Sequence, residues 1–291
     1  MAVQKGAGLD AAEAALYRSR PVFVVGCPRS GTTLVRQMLD AHPNISCGPE
    51  TLFLRHVADL ERENLHVGEF LVTDEEWHGQ LRDLFLWLHV QRAAQLGKTR
   101  WVDKSPGYAM IPNFLDSLFP DCQIVHVIRD PRDVLDSWRR RWGFRRAVRG
   151  VQSWAHHVRR ARKFGAAHPD RYFEIRYEEM VRSPEPVIRE LIEWMDEPWD
   201  DRVLQFKQLP TMGRRPGDER TTPADRSPGA DERPSNRAGV AATKTPPTDA
   251  PLDAKVFSSS VGAGRWQPPN LALAVLLRFS CGPLVRELGY R

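Results

Sequence analysis

Nowhere in the 291 residues does an apolar run approach the roughly 18 that a membrane-spanning helix needs. The first twenty residues, MAVQKGAGLDAAEAALYRSR, hold one early Lys but no apolar segment, so they do not read as a secretory leader. With neither signal, the expected location is cytoplasmic. Cysteine is scarce: Cys27, Cys47, Cys122 and Cys281 stand far apart, with no CxxC pair. That spacing excludes a disulfide-dense scaffold and a zinc ribbon, and leaves buried free thiols as the expectation. No dense group of His or carboxylate residues marks a metal site, so no metal is expected. Negative charge is the minority sign: the net charge is +5, with the Arg excess concentrated between Arg129 and Lys163. Such a balance favours anionic ligands. No nucleic-acid module accompanies the basic stretch, and nucleic acid is not an expected partner.

What is present is a repeated strand–loop–helix pattern. Pro21–Gly26 (PVFVVG) is an uninterrupted apolar run of the kind that fills a strand buried on both faces. A Gly-containing turn follows, then a helical repeat of Leu34, Met38 and His42, with Val35 and Leu39 beside them. Further on come a helix over Glu75–Leu96, a short strand in TRWVDKSP, a helix over Tyr108–Phe119 and a strand over Gln123–Ile128. A long basic helix opens in RDPRDVLDSWRRRWG, and a strand over Tyr172–Arg176 leads to a helix around Glu185–Met195. Alternation of this kind predicts an α/β fold, a central, mainly parallel sheet flanked by helices. Pro210–Lys255 breaks the pattern, with 8 Pro, 4 Gly and only Met212, Val240 and Leu252 as large apolar residues. It reads as a flexible loop, linker or lid. The expected organisation is an extension over 1–20, a core over 21–209, the loop over 210–255, and a terminal loop and helix over 256–291 that complete the core.

The sharpest motif is Gly26-Cys27-Pro28-Arg29-Ser30-Gly31-Thr32-Thr33, set between a strand and a helix. Its two glycines have the spacing of a phosphate-binding P-loop, whose backbone N–H groups and helix N-terminus converge on an anion. The Lys of a nucleoside-triphosphate loop is replaced by Thr32, while Arg29 supplies a cation inside the loop. No convincing Walker B strand follows, because QIVHVIRD places Arg129 before its Asp. The loop therefore suits one 5′-phosphate better than a triphosphate. A second anion site is expected where Arg129 ends a buried strand, with Ser137 eight residues later and Arg141 one helical turn beyond it. Two separate sites in one sheet point to a ligand with two well-spaced phosphates, such as 3′-phosphoadenosine-5′-phosphosulfate (PAPS).

PRSGTT after a strand, followed by LDAHP, resembles the 5′-phosphosulfate loop of PAPS-dependent sulfotransferases, and RDPRDVLDSW resembles their 3′-phosphate motif. The run from Arg29 to Thr51 is similar to the tyrosylprotein sulfotransferase-like branch and its bacterial relatives, and the likeness continues through DKSP, RYEEMV, GRW and the closing LGY. The resemblance implies a P-loop-type sulfotransferase fold with PAPS as donor and PAP as product. It implies that Arg29, Ser30, Gly31, Thr32 and Thr33 hold the 5′-phosphosulfate, and that Arg129, Ser137 and Arg141 serve the 3′-phosphate. It also places Tyr177, Ser260 and Arg265 near the cofactor. Glu50, beyond Cys47-Gly48-Pro49, matches the catalytic Glu and becomes the candidate base, while Lys104 of WVDKSP matches the catalytic Lys. His42 is the rival base, since some cytosolic sulfotransferases use a His, but its place on the apolar face of the helix favours a hydrogen-bonded core residue.

The implied partner is a hydroxyl-bearing acceptor, phenolic, sugar, other metabolite or peptide, with a homodimer left open. The competing expectation is an ATP-dependent P-loop phosphotransferase.

Overall fold

The computed structural model describes residues 11–63, 67–206 and 271–290. The Pro- and Gly-rich segment, Ser260 and Arg265 all lie outside those residues.

Among the described residues five strands form one sheet: β1 (Val22–Gly26), β2 (Ile45–Cys47), β3 (Arg100–Lys104), β4 (Gln123–Ile128) and β5 (Tyr172–Arg176). Their order is β2-β3-β1-β4-β5, and every pairing is parallel. Val22 lies opposite both Val102 and Gln123, which makes β1 the central strand. Side chains alternate across the pleat, so the strand splits its apolar residues between two layers. Phe23 and Val25 join Trp101, Tyr108, Leu115 and Leu118 on one face. Val22 and Val24 join Val35, Met38, Leu39, Ile188 and Ile192 on the other. Burial on both sides explains why β1 and β4 read as continuous apolar runs.

The helices are α1 (Ala11–Arg18), α2 (Thr32–Ala41), α3 (Phe53–Glu63), α4 (Asp74–Gln95), α5 (Pro112–Leu118), α6 (Pro131–Trp142), α7 (Phe144–Ala167), α8 (Tyr177–Arg182), α9 (Pro184–Trp194) and α10 (Leu271–Glu287). Two expected helices are divided. The one over Tyr108–Phe119 becomes a 3₁₀ turn at Pro106–Met110 followed by α5. Pro112 disfavours helical backbone at Ile111, whose φ is −131°. The long basic helix splits at Gly143 into α6 and α7. Leu277, Cys281 and Leu284 of α10, with Leu288 just past its end, close a third cluster against Val134, Leu135, Val151 and Trp154. The four cysteines are free and buried, as expected.

Candidate active site

In a parallel sheet all carboxyl ends share one edge, and ligands bind there, where connections diverge to opposite sides. Here each strand delivers an expected residue to that edge. The loop Arg29–Thr33 follows β1, Glu50 follows β2, Lys104 ends β3, Arg129 follows β4 and Tyr177 follows β5.

The loop after β1 turns tightly. Arg29 stands at φ 79° and Gly31 at φ 98°, both in the left-handed region. Gly31 also has no room for a side chain, since a Cβ there would lie 2.2 Å from Cδ2 of Tyr177. Thr32 then opens α2, so the N-terminal amides of that helix face the loop. Ser30 is fully buried, and its hydroxyl has no hydrogen-bond partner among the described residues. A buried donor beside a helix N-terminus and an exposed Arg29 fits an anion in the loop. Thr32 is buried and Thr33 exposed.

The two expected anion sites are joined. Arg29 Nε donates to Ser137 Oγ at 2.9 Å, linking the first loop to α6. The Arg129 guanidinium sits 4.3 Å from the centre of the Tyr177 ring, the same ring that packs on Gly31. Arg129 also pairs with Asp133 at 3.3 Å. Arg141 lies one turn past Ser137 and is half-buried. Two tryptophans pin the loops from behind: Trp138 Nε1 donates to the Pro28 carbonyl and Trp154 Nε1 to the Arg129 carbonyl, each at 2.9 Å. Both escaped sequence reasoning. The only local signal for Trp138 is its position next to Ser137.

Glu50 and Lys104 meet on the other side of β1. Lys104 Nζ donates to Glu50 Oε1, and the Lys side chain is 4% exposed against 34% for the carboxylate. The ammonium therefore faces inward and the carboxylate faces solvent. Lys104 lies in register with Val24, two residues before the phosphate-type loop begins. Beneath the pair runs a polar network that sequence reasoning did not find. Thr51 Oγ1 donates to Asp103 Oδ2 at 2.9 Å and lies 2.8 Å from Tyr108 Oη, while Thr51 N donates to Ser105 Oγ at 3.2 Å. Consecutive residues thus grip opposite faces of β3, Glu50 at Lys104 and Thr51 at Asp103. Burial pushes the Tyr108 phenol above its ordinary range, so it stays a neutral partner.

His42 has a different task. It is fully buried at the C-cap of α2, with Nε2 2.7 Å from the Pro198 carbonyl and Nδ1 accepting from Asn44 N at 3.1 Å. With both ring nitrogens engaged in the backbone, it cannot reach an acceptor.

Residues 21–201 match the sequence model of the Sulfotransferase family. The chain belongs to the sulfotransferase family. It is 29% identical over 205 residues to a protein-tyrosine sulfotransferase of Drosophila melanogaster, covering 65% of this chain and 40% of that one. Against protein-tyrosine sulfotransferase 1 of Danio rerio the figures are 27% over 204 residues, 65% and 56%. The chain thus spans about half the length of these curated relatives. The sulfotransferase domain of the Synechococcus PCC 7002 olefin synthase superposes with a TM-score of 0.51 at 24% identity, over 65% of this chain and 77% of that one. The parallel five-stranded sheet flanked by helices is thus the P-loop-like sulfotransferase fold, as expected.

Proposed function

We propose that the protein transfers a sulfuryl group from PAPS to the hydroxyl of an acceptor, releasing PAP and a sulfate ester. The observation that carries this reading is the Lys104–Glu50 pair, set on the strand beside an anion-type loop that lacks a Walker Lys. When bound, PAPS supplies a sulfuryl group on a phosphate leaving group, and transfer breaks the bond between sulfur and the bridging oxygen. The loop Arg29–Thr33 would hold the 5′ end, and Arg129, Ser137 and Arg141 the 3′-phosphate, with Tyr177 bridging the two. Ser260 and Arg265 remain assigned to the cofactor by resemblance alone.

The remaining roles fall to Glu50 and Lys104. Glu50 is held through Oε1, which leaves its second oxygen to take the proton of the acceptor hydroxyl. Lys104, inside the site, places a cation where negative charge grows on the departing oxygen. No other base is needed. The names of the relatives extend the proposal to a tyrosyl hydroxyl on a protein or peptide as the acceptor.

Thermal shift with PAP, 5′-AMP and ATP plus Mg²⁺ tests the reading. Ligand at about 100 times its dissociation constant adds roughly 2.7 kcal/mol, several degrees in midpoint. The expected result is a large shift with PAP alone. A shift with ATP alone would replace sulfuryl transfer by the phosphotransferase reading.

A further inference from the structure

Two motifs far apart in sequence, RYEEMV and the closing LGY, meet in the fold through Glu178 and Tyr290, 112 residues apart. The helix α10 is capped by Gly289, whose φ of 72° is the left-handed conformation that glycine adopts most readily. Gly289 N donates to the Arg286 carbonyl and Tyr290 N to the Val285 carbonyl, a paired cap that turns the chain back. Leu288 is buried in the α6–α7 cluster, and its carbonyl accepts from Arg176 Nη1 at 3.0 Å. The turn delivers the Tyr290 ring to 5.4 Å from the Arg176 guanidinium. From there the Tyr290 hydroxyl donates to Glu178 Oε2 at 3.0 Å. The other oxygen of Glu178 accepts from the backbone N–H of Asp130 at 2.8 Å.

Residues 177 and 178 therefore grip residues 129 and 130 as a double tie. Tyr177 stacks under the Arg129 guanidinium, while Glu178 holds the next peptide. We propose that Glu178, anchored by Tyr290, is a positioning residue that sets the direction of Arg129 toward the 3′-phosphate. Glu178 touches no reacting group and acts through Asp130 N and the turn that carries Arg129. The C-terminal LGY is then the far anchor of the second anion site. This inference rests on the PAPS reading above. A carboxylate aimed at a backbone N–H in a largely buried setting holds its partner strongly, because the alternative leaves a buried donor unpaired.

The test is isothermal titration of the full chain with PAP and with 5′-AMP, which differ in the 3′-phosphate. Wild-type protein should prefer PAP, and Glu178→Ala should cut that preference about tenfold, the scale of one charged hydrogen bond. Tyr290→Phe, nearly isosteric, should cut it by a smaller factor and carries the test if the Ala variant fails to fold. Glu178→Gln keeps an acceptor for Asp130 N and should retain most of the preference. Weakening of PAP and AMP in parallel, with the preference unchanged, would reduce Glu178 to a structural stitch and overturn the inference. Wild-type protein blind to PAP would overturn the cofactor reading itself, and this inference with it.

Discussion

The two halves of the sheet's carboxyl edge are built differently. Around β1, β4 and β5 the candidate residues hold one another: Arg29 on Ser137, Tyr177 against both Gly31 and Arg129, and tryptophan donors behind each loop. Around β2 and β3 the Lys104–Glu50 pair stands over a buried polar network, and behind β2 Arg92 pairs with Asp40 and donates to Ser46 Oγ. A cross-linked cationic half is suited to binding, since its groups are fixed before a ligand arrives. An acid–base pair with one member facing solvent is suited to chemistry. Substitutions in the first half should change affinity, and in the second, turnover.

The sharpest way to break this division is at the ion pair. Glu50→Gln and Lys104→Ala should each lower kcat at least ~100-fold, a common general acid–base contribution, with PAP affinity little changed. Near-normal turnover in either variant, measured with PAPS and a phenolic acceptor, removes that residue from the mechanism. In the binding half, Arg129→Ala should weaken PAP about tenfold or more, the loss of a charge-assisted hydrogen bond, which calorimetry will read directly. Unchanged affinity would end its assignment to the 3′-phosphate.

Thr51→Val sharpens the comparison within the second half. It keeps the shape but leaves Asp103 and Tyr108 without the Thr51 hydroxyl, so kcat should fall about tenfold and stability by about 1 kcal/mol. A drop in PAP affinity instead would place Thr51 on the binding side. An effect on stability alone lies beneath the edge. Burial pushes His126 down to about 3 and His157 to about 4, both from an ordinary 6.5. Each stays neutral in the fold, so the unfolded chain binds protons that the native state refuses. Stability should fall as pH drops below 6.5 toward those values. Midpoints from calorimetry between pH 7 and pH 5 that fail to decline would contradict this.

Elements carried by local signal were legible in the sequence. The bounds of β4 and β5 agree with their apolar runs, and α4 begins at a capping box of Thr73 and Glu76. The strand β2 was not legible, because three residues are too few to show a period. Nor was α3, although it carries the chain away from Glu50. For His42 the family resemblance offered a rival base, while its place on the apolar face of α2 favoured a hydrogen-bonded core residue, which is what the structure shows. Which backbone groups it bonds, the Pro198 carbonyl and Asn44 N, came only from the fold.

The residues that could bind an anion, and their places at strand ends, were determined by the sequence itself. Gly spacing, apolar runs and a following helix are all short-range features. Tertiary structure alone decided which of them meet. Glu50 and Lys104 are 54 residues apart, and Arg29 and Ser137 are 108 apart. Their encounters depend on the strand order β2-β3-β1-β4-β5 and on which face of the pleat each side chain takes. No short window encodes that order, because it comes from burying both faces of the whole sheet at once.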